Sequence, residues 1–347
     1  MSGAPTTANA AHAYEGFRQT IRLIGTGPRG SRDLSFDEAR DAMAALLRGE
    51  VSDVQAGAFL VAMRLKGESP EEIAGIAQAL RDVAEPLAAR CGRPLVASAG
   101  AYDGVTAAPQ LSIAAAAVAA ACGAGIVMHC GATLGPKYGL TQADVLAALG
   151  GPGRPSPADS TRMLERSGLT LVYTPAAVPG WESLAGIRDQ VGVRGPVHCA
   201  ERLLAFFGAR RFVVAFTHSS FADRVLGALG RLGTERAIAV RGIEGSDVVR
   251  PGRPTALEPA GRLDLPEDLG SRFEGEEASA AGSAALTRAV LGGEANGAAA
   301  RAVTLSAAIQ LYAAGIASGP REAAALAGEA LADGRATATL EAMLDVA

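Results

Sequence analysis

The chain has 347 residues, of which 49% are apolar and 4% aromatic, and its formal net charge is −4. This length allows one large domain or two smaller ones, with enough apolar residues for a sizeable core. A protein that binds nucleic acid without sequence preference usually carries a basic excess, so the net charge disfavours that class, although a local basic patch remains compatible with it.

The cysteines give no sign of a disulfide framework. They lie at Cys91, Cys122, Cys130 and Cys199, and no two form a C-x-x-C pair. The first residues lack a basic segment followed by an apolar one, so we expect no secretory signal. The apolar stretch 111–128 has the length of a membrane span, but its Ala and Gly content favours a buried helix, a turn and a strand. We expect a cytoplasmic protein without a membrane partner.

The first third of the chain is predicted to be a compact helical bundle. Ser35 to Glu38 and Ser52 to Gln55 are capping boxes, which open helices that run to about Leu47 and Gly67. A third helix begins after Ser69, where a Pro and two acidic residues follow in the first turn.

After residue 90 strands and helices alternate. Strands are predicted at 94–100, 125–130, 211–218 and 236–242, and helices at 111–122, 141–149, 160–168, 181–191 and 220–232. Residues 251–285 are rich in Pro, Gly and acids and are expected to be irregular, and the chain from 299 onward is helical with a break at 318–320. The alternation predicts a mostly parallel sheet.

A His and a Lys stand among glycines in IVMHCGATLGPKYG, residues 126–139, at the end of a predicted strand. This composition is typical of a phosphate-binding loop. Lys137 suits an anion, with a solvated surface Lys as the alternative. His129 could bind phosphate or assist the departure of a leaving group, and the structural alternative is a loop histidine that is hydrogen-bonded to backbone.

Four more charged residues are candidates, each with a structural alternative. Asp103 could hold a metal ion or a sugar hydroxyl, or belong to an ordinary Asp-Gly turn. Asp247 follows a predicted strand and could keep a weakened metal site. Arg188 and Arg194 could contact an anion or form ion pairs on a helix surface.

Four stretches, together with the order of the predicted elements, resemble the anthranilate phosphoribosyltransferase family. They are GEVSDVQAGAFLVAMRLKGESPEEIAGIAQAL at 49–80, ADVLAALG at 143–150, IRDQVGVR at 187–194 and GIEGSD at 242–247. The resemblance extends from about Arg18 to the C-terminus. It implies an α/β fold with an N-terminal all-helical domain, the anthranilate phosphoribosyltransferase and nucleoside phosphorylase-like fold.

The resemblance also implies a division of the chain. Residues 1–90 would form the helical domain, joined by mid-chain helices from about 160–195, and residues 91–347 would form the α/β glycosyltransferase-like domain. In the family, phosphoribosyl pyrophosphate and Mg²⁺ bind between the domains, and homodimers form through the helical domain.

Carried over residue by residue, the family's motifs assign roles to individual positions. Catalysis would fall to His129 and Lys137, substrate binding to Asp103, Gly104, Ser112, Gly139, Arg188 and Arg194, and the metal to Asp247. Arg188 matches the family's Arg that engages the carboxylate of anthranilate.

The functional motifs match less closely than the framework. The family's G-T-G-G-D-G loop is A-G-A-Y-D-G at 99–104, where Tyr102 restricts the approach of backbone N–H groups to a diphosphate. Its K-H-G-N is M-H-C-G at 128–131, which removes a cation, and its Asp-Glu pair is Asp247-Val248, which removes a carboxylate. Its T-x-F-N-x-x-G-P-L-T-N-P is replaced by GPVHCAERLLAFFG at 195–208.

Three functions follow as hypotheses. The first is a divergent phosphoribosyltransferase-like protein that binds a phosphorylated sugar donor in the interdomain cleft and, by the Arg188 match, transfers it to a carboxylate-bearing aromatic acceptor. The second is a non-catalytic nucleic-acid-binding homodimer of the same fold, favoured by the lost donor residues. The third is anthranilate phosphoribosyltransferase of tryptophan synthesis. The sequence leaves open whether the protein is an enzyme.

Overall fold

The computed structural model describes residues 15–100, 102–267, 273 and 278–346. Its N-terminal part is helical, with α1 (Phe17–Gly25), α2 (Phe36–Leu47), α3 (Asp53–Lys66) and α4 (Pro70–Val83). The three helices that the sequence predicts here, α2 to α4, are confirmed.

These three helices begin where a Ser side chain caps them. Ser35, Ser52 and Ser69 accept hydrogen bonds from the backbone N–H three residues later, at 3.2, 3.3 and 3.3 Å. The side chain of that later residue accepts a hydrogen bond from the Ser backbone N–H in return. Each cap therefore satisfies donors that a helix end would otherwise leave unpaired. The first helix, α1, begins after Gly16 without a side-chain cap, so no capping motif marks it in the sequence.

In the described part of the chain, seven strands form one sheet in the order β3-β2-β1-β4-β5-β6-β7. They are β1 (Leu95–Ala99), β2 (Gly125–Cys130), β3 (Leu169–Tyr173), β4 (Arg211–Phe216), β5 (Arg236–Arg241), β6 (Ala256–Glu258) and β7 (Gly261–Arg262). The first five pair in parallel, and β6 and β7 add antiparallel pairs at one edge. The mostly parallel sheet is confirmed, although β3 was not predicted.

Helices follow most of the parallel strands and complete the C-terminal part. They are α5 (Ser112–Ala121), α6 (Gln142–Ala148), α7 (Pro157–Ser167), α8 (Thr174–Ala177), α9 (Trp181–Val191), α10 (Val197–Ala200), α11 (Ser219–Arg231), α12 (Ala280–Leu291), α13 (Ala298–Ala314), α14 (Pro320–Ala332) and α15 (Arg335–Leu344). The segment 251–285, predicted to be irregular, contains β6, β7 and the start of α12, so that prediction is wrong there. Residues 268–272 and 274–277 of the segment lie outside the described residues.

The sheet separates two apolar layers. On one face Val96 and Ile126 pack with the Ala-rich helices α5 and α13 to α15. On the other face Ala97, Val127 and Phe212 pack with residues of α2 to α4 and α11. Successive residues of a strand point to opposite faces, and because both faces are covered the strands are apolar throughout.

The apolar stretch 111–128 forms α5, a turn and β2, as the sequence predicts. The helix has ten residues and nine of them are buried. Among the described residues, no helix is both long and apolar enough to cross a membrane. The small Ala side chains let α5 pack closely against α13 and α15.

The mid-chain helices pack in two different places. The helix α9 contacts α2 and α3 of the N-terminal bundle, whereas α7 contacts β3 and α15. A positively charged side chain also joins the two parts of the chain, because Arg81 of α4 donates from Nε to the carbonyl oxygen of Leu203 at 2.8 Å. The segment that leads into β4 is thus held against the helical bundle.

Replacing Glu72 tests the polar interaction inside the bundle. Its buried carboxylate accepts hydrogen bonds from Leu34 N at 2.8 Å, Ser69 N at 2.8 Å and Lys66 Nζ at 2.7 Å. We expect Glu72→Ala to lower the free energy of unfolding by about 3 kcal/mol, because it leaves the largely buried Lys66 ammonium without this partner. Urea denaturation would measure the loss.

Glu71 provides the control for that substitution. It precedes Glu72 on α4, but its ion pair with Arg231 is about half exposed on both sides. Glu71→Ala should change stability by less than about 1 kcal/mol. Equal effects of the two substitutions would contradict the buried role of Glu72.

Candidate functional site

Three loops meet at the carboxyl ends of the strands. They follow β1, β2 and β5, and two of them approach so closely that only glycine fits. Gly104 has φ +74°, and a Cβ there would lie 2.3 Å from the carbonyl carbon of Gly139. Val105 and Leu140 exchange backbone hydrogen bonds at 3.0 and 2.7 Å beside this contact. Gly104 and Gly139 therefore shape the site through the backbone.

The Asp103 carboxylate is the negative centre of the site. Its side chain is fully buried, and Arg194 donates to its Oδ2 from Nε at 3.0 Å. Lys137 Nζ lies 3.7 Å from Asp103 Oδ1, an oxygen that accepts no hydrogen bond among the described residues. The structure thus brings together Asp103, Lys137 and Arg194, which the sequence singled out, and Asp103 is the counter-ion of both cations.

Lys137 joins two of the loops. It donates from Nζ to the carbonyl oxygens of Gly104 and Glu244, the latter at 2.8 Å. Its side chain is 19% exposed, and it is set back from bulk water. Burial lowers the pKa of Lys137 below its ordinary value, which the nearby Asp103 and Glu244 partly oppose. The Lys137 side chain therefore keeps a limited contact with solvent.

Glu244 is a site residue that the sequence analysis missed. Its carboxylate accepts from the backbone N–H groups of Thr106 and Ala107 at 3.0 and 2.7 Å, and from the Thr106 hydroxyl at 2.8 Å. Burial raises the pKa of Glu244, but these hydrogen bonds outweigh it and leave the pKa below its ordinary value. The ionised side chain fixes the loop after β1 against the loop after β5.

Asp247 lies in a buried polar network. Its Oδ2 accepts from the Ser98 hydroxyl at 2.7 Å and its Oδ1 accepts from the Ser112 hydroxyl. Gln310 of α13 donates to Ser98 Oγ at 3.0 Å, and Gln110 accepts from Ser112 Oγ at 2.6 Å. Burial raises the pKa of Asp247 above its ordinary value, and the two serines oppose it. Ser112 and Asp247, far apart in sequence, are direct partners.

His129 faces the interior. It is 1% exposed, and its Nδ1 lies 2.5 Å from the hydroxyl of Tyr102, which is 2.8 Å from Thr174 Oγ1. Phe206 packs edge-on against the imidazole at 5.6 Å. Burial lowers the pKa of His129 to about 3, and the positive charge of Arg81 adds to this effect. The imidazole is enclosed by Tyr102 and Phe206, so the structure does not place His129 where it could contact a bound phosphate.

Arg188 is also paired inside the protein. It is 5% exposed, and it donates to the two carboxylate oxygens of Glu201 at 2.7 and 3.2 Å and to His198 Nδ1 at 3.1 Å. The guanidinium lies 5.5 Å from the centre of the Trp181 ring. Glu201 is the second residue that the sequence analysis missed. The Glu201 carboxylate is paired with the Arg188 guanidinium, which was expected to bind an acceptor.

Among the described residues, no group of three or more His, Cys, Asp or Glu side chains is arranged to hold a metal ion. The site therefore consists of charged and polar residues paired at the strand ends. Its cations are Lys137 and Arg194, and both lie beside the Asp103 carboxylate.

Comparison with known proteins identifies this architecture. Residues 18–84 match the helical bundle domain of a glycosyl transferase family, and residues 102–337 match the a/b domain of that family. Anthranilate phosphoribosyltransferase of Thermus thermophilus is 35% identical over 314 residues, covering 89% of this chain and 94% of its own. The enzyme of that name from Rubrobacter xylanophilus is 31% identical, over 95% of this chain and 97% of its own.

Solved structures agree with the sequence matches. The crystal structure of anthranilate phosphoribosyltransferase from Thermus thermophilus superposes with a TM-score of 0.81 at 33% identity, over 91% of this chain and 96% of that one. The Saccharomyces cerevisiae protein in complex with PRPP and Mg has a TM-score of 0.77 at 18% identity, over 94% and 96%, and shows the shared fold. The chain belongs to the anthranilate phosphoribosyltransferase family.

The low pKa of His129 predicts a pH dependence. The unfolded chain binds a proton below about pH 6.5 whereas the folded chain does so only below about 3, so stability is full above 6.5 and is lost as the pH falls. In the wild type, this difference should lower the free energy of unfolding by about 2 kcal/mol between pH 7 and pH 5. We expect this part of the decrease to be missing in His129→Gln.

Urea denaturation at several pH values would measure this slope. His218→Gln serves as the control, because it removes an exposed imidazole instead of the buried one. A His129→Gln variant with the wild-type slope would show that the buried imidazole does not resist protonation.

Proposed function

We propose that the protein transfers a phosphoribosyl group from phosphoribosyl pyrophosphate, or a similar donor, to an aromatic acceptor. The observation that carries this proposal is the position of Lys137, whose ammonium is held between two loops at the strand ends. The close contact of Gly104 with Gly139 supports it, because it holds the loops after β1 and β2 together beside this ammonium. The cleft between the helical domain and the α/β domain is the proposed binding site.

The proposed role of Lys137 is electrostatic. When the bond from the anomeric carbon to diphosphate breaks, negative charge collects on the departing oxygens. An ammonium already fixed in a partly dry site stabilises this charge with little reorganisation. Arg194 can contribute in the same way if the incoming anion replaces Asp103 as its partner. His129 holds Tyr102 in place and acts through it as a positioning residue.

A Mg²⁺ ion fits the oxygen atoms near Asp247. This carboxylate and the hydroxyls of Ser98 and Ser112 are oxygen donors, the kind that Mg²⁺ prefers, and one or two protein carboxylates suffice when substrate phosphates complete the shell. PRPP and Mg occur together in the yeast relative. When bound, the ion would neutralise part of the charge on the diphosphate. We propose Asp247 and Ser112 as the residues that hold it.

The rival hypotheses receive less support. A nucleic-acid-binding role needs a basic groove, but the two cations at the cleft, Lys137 and Arg194, are paired with Asp103. The relatives named above are enzymes by name, which also favours catalysis. Anthranilate as the acceptor would require Arg188 to bind its carboxylate, but Arg188 is already paired with the carboxylate of Glu201.

We also propose that the chain divides near residue 90 and forms a homodimer through the helical domain. Val54 and Leu65 of α3 are each 82% exposed, and Val193 beside them is 48% exposed. Val54, Val61 and Leu65 lie on one face of α3, since seven and four residues are close to whole turns. An apolar stripe of this kind is costly in water and suits a second copy of the chain.

Lys137→Ala tests the donor site. We expect the affinity for phosphoribosyl pyrophosphate, measured by calorimetry with Mg²⁺, to fall at least about tenfold, as loss of a charged hydrogen-bond donor predicts. Arg253→Ala removes an exposed charge elsewhere and should leave the affinity unchanged. No binding by the wild type, combined with salt-sensitive binding of oligonucleotides, would contradict the proposal and favour the nucleic-acid hypothesis.

A double substitution tests the dimer. Val54→Glu with Leu65→Glu should give a monomer by light scattering after size exclusion, because it places charges on the proposed interface. Arg253→Ala removes an exposed side chain of the α/β domain and should leave a dimer. A wild-type protein that is already monomeric would overturn the assignment.

A further inference from the structure

Arg202 is a partly buried cation without a carboxylate partner. It lies in a 3₁₀ turn, Glu201–Leu203, which packs against β1, β4 and α4. In the part of the chain that the structure describes, no Asp or Glu forms an ion pair with its guanidinium. Lys137 and Arg194 differ in this respect, because both lie beside Asp103. A charge that is partly removed from water and not paired favours the binding of an anion.

The Arg202 guanidinium has two donor atoms from which no described residue accepts. Its Nη1 donates to the carbonyl oxygen of Ala215 at 2.8 Å, and Nη2 makes no such bond. Its Nε is buried and also lacks a partner among the described residues. Nε and Nη2 lie on one edge of the planar group, and such an edge binds two oxygens of one anion. Arg48 uses the same two atoms to bind both carboxylate oxygens of Glu50, at 2.6 and 2.8 Å.

The bond to Ala215 places Arg202 at the donor-site end of the sheet. Ala215 is the penultimate residue of β4, and β4 lies between β1 and β5. The loops that follow β1 and β5 are the ones that Lys137 joins. Burial is the main cause that lowers the pKa of Lys137, and the positive charges of Arg194 and Arg202 add to it. Arg202 is therefore close enough to Lys137 to act on the same ligand.

The charges at this end of the sheet favour an anion with more than one negative charge. The cations are Lys137, Arg194 and Arg202. The carboxylates beside them are Asp103, which is paired with the first two, and Glu244, 4.0 Å from Lys137. Positive charge is thus in excess. A diphosphate has several negative charges and several pairs of oxygen atoms, whereas a carboxylate has one of each, so a diphosphate suits the cations better.

We propose that Arg202 binds the diphosphate of the phosphoribosyl donor through Nε and Nη2, while Nη1 stays on the carbonyl oxygen of Ala215. This inference rests on the proposed function and adds a residue to its donor site. Arg202 lies in the segment 195–208, which departs from the family's pattern, so no family motif assigns it a role. Its fixed positive charge would stabilise the negative charge that collects on the departing diphosphate.

Arg202→Met tests the proposal, because Met keeps an unbranched side chain and removes the charge and the donors. Calorimetry would measure the affinity for inorganic diphosphate without Mg²⁺, so that only cations of the protein bind the anion. We expect the substitution to lower this affinity at least about tenfold, as the loss of hydrogen bonds to a charged group predicts. Wild-type affinity in Arg202→Met, or no binding of diphosphate by the wild type, would overturn the proposal.

Arg236→Met is the matched control. Arg236 is also partly buried and donates from Nη1 to a carbonyl oxygen, that of Tyr312, at 2.6 Å. It is the first residue of β5 and therefore lies at the opposite end of the parallel strands. Arg236→Met should bind diphosphate as the wild type does. Equal losses of affinity in the two variants would reveal a general effect of removing a partly buried arginine and would overturn the role of Arg202.

Arg202→Lys keeps the proposal testable if Arg202→Met does not fold. Lys keeps the positive charge and can still donate to the carbonyl oxygen of Ala215, but it lacks the planar edge with two donors. We expect Arg202→Lys to fold and to bind diphosphate at least about threefold less tightly than the wild type. Wild-type affinity in this variant would contradict binding through Nε and Nη2.

Two further ligands identify the anion and separate this proposal from the proposed function. If Arg202→Met weakens the binding of anthranilate and leaves that of diphosphate unchanged, the guanidinium binds a carboxylate and the proposal is overturned. If Arg202→Met binds phosphoribosyl pyrophosphate with Mg²⁺ as tightly as the wild type does, the role of Arg202 fails and the proposed function stands. If the wild type binds diphosphate through Arg202 but does not bind phosphoribosyl pyrophosphate, the proposed function fails and Arg202 remains a diphosphate-binding residue.

Discussion

The buried carboxylate of Asp103 organises the strand-end loops of this protein. A fully buried negative charge is tolerated only when it is paired, and here the partners come from two distant segments, through Lys137 and Arg194. Lys137 also binds the backbone of the loops after β1 and β5, and the carboxylate of Glu244 locks those loops together. The position of each loop therefore depends on one charge balance, and a change at Asp103 would alter all of them.

The pairing of cations with carboxylates of the chain also affects the binding of ligands. Lys137, Arg194 and Arg188 are the cations that the family resemblance assigns to ligands, and in this protein each has a carboxylate of the chain beside it. At Asp103 the pairing is partial, since Lys137 is 3.7 Å away and Arg194 is 44% exposed, so an anion can compete for both. At Glu201 the pair is dry and closed, and competition is far more costly. The ion pairs of Asp103 are thus more open to competition than the pair of Arg188 with Glu201.

Local chemistry explains how much of the fold could be predicted. The helices α2, α3 and α4 carry Ser caps that act within four residues, so a local sequence motif predicts where each helix begins. The first helix α1 lacks a cap and was missed. The strand β3 was missed although Gly168 ends the preceding helix in the left-handed conformation, because the strand has only five residues and stands between two helices. Short antiparallel strands such as β6 depend on pairing with β5, a contact made at a distance along the chain.

The site was harder to predict because its contacts are long-range. The pairs Tyr102 with His129, Asp103 with Arg194 and Ser112 with Asp247 join residues 27, 91 and 135 positions apart. Sequence motifs named most of these residues but could not show that they satisfy one another. Glu201 carried no signal at all, since a single Glu becomes informative only when the fold places it against Arg188. In a diverged family member, a cation that the motifs assign to a ligand can already be paired with a carboxylate of the chain. Only the packed structure shows which carboxylate that is.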